Sequence, residues 1–399
     1  MRKRYIYWSS VAVLGCVALS TNASASGKII IEPKIQIAVQ NDSNYWKAEN
    51  DEVSVNTYSA KPGLIFGYET AKSSIDLDAT IDFYSYDDLD TPPPGVRDAS
   101  DDDFVGFSGI LAAQTQITDR LNLGIEDSLY RTRDIAQSDP LSNSITRDEY
   151  TINTFEPNAY YDFGNKFAVR TAYRNNYIDY IDEGEDSLEN RGVFDLEYNL
   201  NRSSVVFLEY QIWNRDYDLD TSDYDSNQIT LNYAKQFNYF GVLAGAGYHK
   251  RTFDETRFDD LDLFSWSVVI QGQNPQAPEE NPRSHMELTL KQDMNDDGTG
   301  DEYFTATVVG LEAGYMFMHK LDTTLNFVYQ NSDYEDIIDN REDDTFTVSG
   351  KVAYPVWKEY MILGLEVGFE DRDSNIDGLS YDNTFAMLTL DFHYDLGSR

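Results

Sequence analysis

Residues 74–84 read SIDLDATIDFY, and this short stretch constrains the fold more than any other. Ile75, Leu77, Ala79, Ile81 and Phe83 are apolar, while Ser74, Asp76, Asp78, Thr80 and Asp82 between them are polar or acidic. A period of two residues means a strand with two unlike faces. In a soluble sheet the apolar face would meet a second layer and the polar face water. In an outer membrane the apolar face would meet lipid and the polar face a wet lumen.

The start of the chain bears on that choice. Arg2, Lys3 and Arg4 precede an apolar run over residues 6–19 and then Ala23-Ser24-Ala25, the pattern of a secretory signal peptide cleaved after residue 25. Val13-Leu14-Gly15-Cys16 loosely resembles a lipoprotein processing site, but the apolar run continues past Cys16 to Leu19. The expected division is a signal peptide over 1–25 and one β-barrel domain over 26–399.

Cys16 is the only cysteine, so the exported domain is expected to hold together without disulfides. Losing the leader's three basic residues leaves 28 Lys and Arg against 70 Asp and Glu, a net charge of −42. That balance argues against nucleic acid as a partner, because phosphate binding needs clustered cations.

No apolar run after the leader reaches the roughly 18 residues of a membrane helix. A transmembrane β-strand needs only about 9–11 alternating residues, which hydropathy averages conceal. The 29 Tyr and 21 Phe favour strands and are apt for interfacial girdles.

The alternation of residues 74–84 recurs along the whole chain. Strands are expected near 29–40, 58–69, 74–86, 104–118, 121–133, 149–163, 166–179, 191–201 and 204–217. They continue near 226–236, 240–253, 260–271, 284–292, 302–318, 320–334, 344–355, 358–372 and 380–396. This describes an all-β, antiparallel, up-and-down transmembrane barrel of about 18 strands, with 16 as the alternative. Odd-numbered strands are followed by long acidic loops and even-numbered ones by tight turns, which puts the loops outside the cell and both termini in the periplasm. The exception is 272–283, with Pro275, Pro278 and Pro282.

The face assigned to the lumen carries Asp76, Asp78, Asp82, Arg131, Arg170, Arg174, Asp195, Glu197, Gln228, Glu287 and Lys291. An Arg or Lys turned to lipid at the bilayer midplane costs about 2–4 kcal/mol, so charges on such strands belong inside. There they either brace the wall as ion pairs or orient polar solutes.

Residues 293–301 begin like a calcium loop, with Asp293, Asn295 and Asp297 at positions 1, 3 and 5, Gly298 at 6 and Asp301 at 9. Phe304 stands where the bidentate Glu belongs, so an acidic hairpin loop is the competing reading. No other cofactor is expected. His249, His285, His319 and His393 lie near strand ends without a Ser and an acid at triad spacing, so no enzymatic activity is expected; only His249 would sit at the outer rim.

Pro33-Lys34-Ile35-Gln36-Ile37, the following Asn41-Asp42-Ser43-Asn44, and Tyr58-Ser59-Ala60-Lys61-Pro62-Gly63-Leu64 resemble the "putative beta-barrel porin 2" group. That resemblance implies an outer-membrane barrel whose relatives often accompany exopolysaccharide or capsule assembly genes. Leu388, Leu390, Phe392, Tyr394 and Leu396 resemble the C-terminal alternation that barrel assembly machinery recognises, departing from it by ending in Gly397-Ser398-Arg399.

The expected function is therefore a porin-like channel for polar solutes, with export of a surface polysaccharide as its sharper form. The competing expectation is an adhesive barrel displaying acidic, cation-binding loops. Expected partners are outer-membrane lipid and lipopolysaccharide, the assembly machinery and polysaccharide export components.

Overall fold

A computed structural model describes residues 27–396 apart from 95, 135–140, 143, 144, 146, 165, 182, 183, 219–222, 255–257, 274–282, 297–302, 335–339 and 359. The expected leader over 1–25 and most of the 272–283 connection lie outside the described residues.

The chain forms β1 (Lys28–Asp42), β2 (Val55–Glu69), β3 (Ser73–Asp88), β4 (Phe104–Gln116), β5 (Leu121–Thr132), β6 (Tyr150–Gly164), β7 (Phe167–Tyr180), β8 (Ser187–Asn201) and β9 (Ser204–Tyr217). It continues as β10 (Tyr224–Gln236), β11 (Phe240–Phe253), β12 (Leu261–Gln273), β13 (Ser284–Asn295), β14 (Phe304–Phe317), β15 (Leu321–Tyr334), β16 (Glu342–Trp357), β17 (Met361–Ser374) and β18 (Tyr381–His393). Each strand pairs antiparallel with its neighbours in sequence, and β18 pairs with β1, so the eighteen strands close on themselves. Closure leaves no unpaired edge, which backbone groups in hydrocarbon require. No helix among the described residues is long and apolar enough to cross a membrane; the strands do the crossing.

Directly paired residues in an antiparallel sheet share a face, so the register sorts every side chain. On β3 the pairs Ile81↔Phe107 and Phe83↔Val105 face out, and Asp78↔Ile110 and Asp82↔Gly106 face in. The outward face carries exposed Leu64, Ile75, Ile125, Leu196, Leu231, Leu325, Leu365 and Leu388 as a continuous apolar belt. Exposed Tyr58, Tyr173, Tyr177, Tyr210 and Tyr248 border it toward the long loops, and Tyr68, Tyr161, Phe167, Tyr239, Phe317 and Trp357 toward the tight turns. Two aromatic girdles around an apolar band are the outer surface of a membrane barrel.

Proline within these strands costs ladder bonds locally. The β2–β3 pairing skips from Ala60↔Phe83 to Gly63↔Thr80 at Pro62, and β6–β7 skips from Phe155↔Asn175 to Asn158↔Ala172 at Pro157. Neither gap breaks the barrel, because the opposite neighbours β1 and β5 keep their registers past them.

At the loop end the connections fold inward upon one another. Tyr45, Val53, Val55, Tyr86 and Ala99 form a buried cluster, and the Arg147 guanidinium lies 3.8 Å from the Tyr45 ring centre. Beside it Asp102 sits between Arg97 and Arg133; burial pushes its carboxyl up while the two guanidinium groups hold it back. Leu141, from the same β5–β6 connection as Arg147, packs against Phe304, Ala306, Val308 and Tyr334, and its carbonyl accepts a 2.8 Å bond from Gln330. β15 stands across the ring from β5 and β6. A connection between neighbouring strands therefore touches the opposite wall, which its modest length does not announce.

Candidate functional site

The inner wall is built from opposite charges. Lys34 on β1 reaches Asp78 on β3 across the intervening β2. It can do so because Gly63 lies between them: a Cβ there would stand 2.5 Å from the Ala79 carbonyl and 3.1 Å from Lys34 Cε. Lys61 lies 3.9 Å from Asp82, and Asp76 shares their face opposite Gly67 and Ala112. On the next wall Arg170 and Arg174 of β7 both reach Glu156 of β6, and Arg170 also lies 3.5 Å from the buried Asp195 of β8. Glu197 follows two residues on, also buried. Glu287 accepts from Gln271 at 2.7 Å, and Lys291, paired with the inward Val308, shares its face.

One residue of the expected lumen set belongs elsewhere. Arg131 pairs with Thr151 and follows Leu129 and Ile125 on the outward face, so it points away from the lumen. It sits at the loop end of β5, past the apolar belt, where its Nε donates to Glu149. A cation there is outside the hydrocarbon, and the midplane argument that turned it inward does not apply.

The inner face of β8–β11 is closely packed. Trp213, Arg215 and Tyr217 on β9, Tyr224, Ser226 and Gln228 on β10, and His249, Arg251 and Phe253 on β11 alternate inward from one register. Their cover comes from β13. Its pairing with β12 ends at Trp266↔Gln292, whereas its pairing with β14 continues to Asn295↔Phe304. Freed from β12, residues 293–296 lean over the wall.

Asp296 accepts from Arg215 at 2.9 Å, Tyr217 at 3.1 Å and Tyr224 at 2.5 Å. Asp293 lies 2.9 Å from His249 Nδ1 and within 3.4 Å of the Gln228 amide, which also donates to Ser265 at 3.1 Å. Arg191 stacks on Trp213 at 4.2 Å and pairs with Glu189. Between this wall and Glu126, Tyr130, Glu156 and Arg174 of the adjoining strands β5–β7 lies a polar cavity of about 420 Å³.

Two further expectations are placed by this arrangement. His249 is not at an exposed rim but 1% exposed inside the lumen. Asp293 and Asn295 are strand residues of β13, with the Asp293 carboxylate turned to His249. Asp297 and Asp301, the other two residues of the calcium pattern, lie outside the described residues. Among the described residues no group of three or more His, Cys, Asp and Glu side chains is arranged to hold a metal ion.

Sequence reasoning found the acidic inward rows but not Trp213, Arg215, Arg251 or Asp296. A local signal exists: WNRDY over 213–217 and HKRTF over 249–253 both set an aromatic ring or imidazole, an arginine and an aromatic ring at alternate positions.

A sealed ring of long strands, apolar outside between two girdles and charged inside, is a porin-like channel of the bacterial outer membrane. The chain belongs to the Putative beta-barrel porin 2 family, which matches residues 24–394. Among solved structures it is similar to Pseudomonas aeruginosa OccK1 (OpdK), with a TM-score of 0.50, 12% identity and coverage of 92% of this chain and 99% of that one. The same protein with vanillate matches equally, at 12% identity, a TM-score of 0.50 and the same coverage. A BenF-like porin from Pseudomonas fluorescens Pf-5 matches at a TM-score of 0.49 and 10% identity, over 94% and 100% of the two chains. These likenesses concern the fold. No curated protein matches the chain.

Proposed function

We propose that the barrel conducts polar solutes, with its acidic loop end outside the cell and its termini in the periplasm, and that its physiological cargo is a surface polysaccharide on its way out. The observation that carries the conducting role is the inner face. From Lys34–Asp78 to Arg170–Asp195 it presents paired charge to the lumen, which disperses the field a solute meets while keeping the wall wet. An eighteen-stranded ring is wide enough for an aqueous lumen. The inward packing of Tyr45 and Leu141 favours conduction over adhesion, since those connections narrow a passage instead of projecting from it.

In planar bilayers the purified protein is expected to give ohmic steps. Neutral and acidic oligosaccharides added on one side should reduce the current more strongly with chain length. Closed, silent barrels whose loops bind cells or lipopolysaccharide would support display instead. Conductance indifferent to oligosaccharide would retain the channel and remove the polysaccharide.

A further inference from the structure

The wall of β9–β11 holds more hydrogen-bonding capacity and more positive charge than its own partners use. Trp213, Ser226 and Arg251 lie on one rung across three strands, and His249 is two residues from Arg251 on the same face. The Trp213 Nε1, His249 Nε2 and Asn295 Nδ2 atoms are buried with no hydrogen-bond partner. Trp213 is 4% exposed, His249 1% and Arg251 3%. Arg251 donates to Ser226 Oγ and to the Asn295 carbonyl, both at 3.3 Å, and stacks 4.1 Å from the Tyr224 ring. Among the described residues it has no carboxylate in ion-pair range.

Buried polar atoms without partners and a buried cation without an anion are each unfavourable, and all of these groups line the same cavity. We propose that this cavity is a binding site for an oxyanion, specifically the carboxylate of a solute the size of one sugar acid. Both carboxylate oxygens can accept at once, from the Arg251 guanidinium and from the Trp213 Nε1 and Asn295 Nδ2 donors beside it. His249 Nδ1 lies 2.9 Å from the Asp293 carboxylate; with Nδ1–H donating there, Nε2 keeps its lone pair and is placed to accept a hydroxyl of the sugar acid. A neutral sugar would satisfy the donors without meeting the charge of Arg251; of the carboxylates that also line the cavity, Glu156, Glu189, Asp293 and Asp296 are engaged by Arg174, Arg191, His249 and Arg215, which leaves Arg251 to the solute. About 420 Å³ lies within the range of small-molecule pockets and suits one hexuronate. The site lies in the lumen of the proposed channel, yet binding needs only the folded barrel.

The test is calorimetric titration of the full barrel in detergent with D-galacturonate, its neutral counterpart D-galactose, and inorganic phosphate. Galacturonate should bind and galactose should not. Phosphate that displaces galacturonate would support a general oxyanion site, and phosphate that fails to would support the planar carboxylate. Arg251→Gln should weaken galacturonate by about ten- to a hundredfold, the usual effect of losing a charged hydrogen-bond partner.

Folding of each variant is checked by heat-dependent mobility on gels. Trp213→Phe keeps the ring and removes one donor. It should weaken binding several-fold and decides the matter if Arg251→Gln does not fold. Equal binding of galactose and galacturonate, or unchanged galacturonate affinity in the folded variants, would overturn the site. Bilayer conductance is recorded separately: binding without current would leave the site standing and remove the channel.

Discussion

Two walls of one lumen are built from the same materials and held in different ways. On β1–β3 the Lys34–Asp78 pair is open to water: its side chains remain 26% and 42% exposed. On β8–β11 the Arg215–Asp296 pair is sealed: its side chains retain 8% and 5%, under the segment of β13 that has left β12. An exposed pair contributes about 0–1 kcal/mol, because water already solvates both ions. Removing one partner of a buried pair costs about 3–5 kcal/mol, because it strands the other. The first wall is therefore free to tune the passage, while the second is part of what holds the loop end together.

The largest effect that could break this contrast is Asp296→Ala. It leaves the Arg215 guanidinium and the hydroxyls of Tyr217 and Tyr224 without their shared acceptor. The expected loss is about 3 kcal/mol or more, read as a lower urea midpoint in lipid vesicles together with faster proteolysis near residue 296. A change below about 1 kcal/mol would mean that water reaches Arg215 as readily as it reaches Lys34.

Gly63→Leu tests the open wall through its backbone. The new side chain would enter the space through which Lys34 reaches Asp78 and press on the Ala79 carbonyl and Thr80. Overpacking of this kind costs about 1–3 kcal/mol. Both stability and ion selectivity should therefore shift, whereas Gly63→Ala should move each less.

Leu77→Asp turns the comparison from wall to face. Leu77 pairs with Leu111 and Phe66 on the lipid side of β3, so a carboxylate there should lower membrane insertion by about 2 kcal/mol or somewhat less. Its neighbour Asp78→Leu should leave insertion intact and shift selectivity away from cations. Equal folding defects in the two variants would mean that the faces of β3 are reversed.

What the sequence disclosed and what it concealed divide along physical lines. Period-two alternation is a local property, so the strands, their order and the inward rows Asp76, Asp78 and Asp82 could be read from residues 74–84 and their copies. The rule fails where strands leave the hydrocarbon. At Arg131 neither face meets lipid, so charge no longer reports direction. It also fails where a strand changes partners. Residues 293–295 look like the start of a loop because they are acidic, yet they continue β13 and lean inward, which depends on β12 letting go. The covered wall joins Trp213, Tyr224, Arg251 and Asp296 across more than 80 residues of sequence, and only the end of β13 leaning back over β9–β11 brings them together.

The smallest expected effect is the most telling about the open wall. Lys34→Met removes the cation from a pair that spans β2, leaving Asp78 beside a methyl thioether of similar length. Because Asp78 is 42% exposed, water takes over its solvation, and the cost in stability should stay under about 1 kcal/mol. The lumen nevertheless gains a full negative charge next to Asp76 and Asp82. Reversal potentials under a salt gradient should therefore move toward cation preference, and the shift should shrink as ionic strength rises and the Debye length falls below about 10 Å. A large loss of stability instead would show that this wall, too, is sealed, and that the difference between the two walls lies in their strands and not in their access to water.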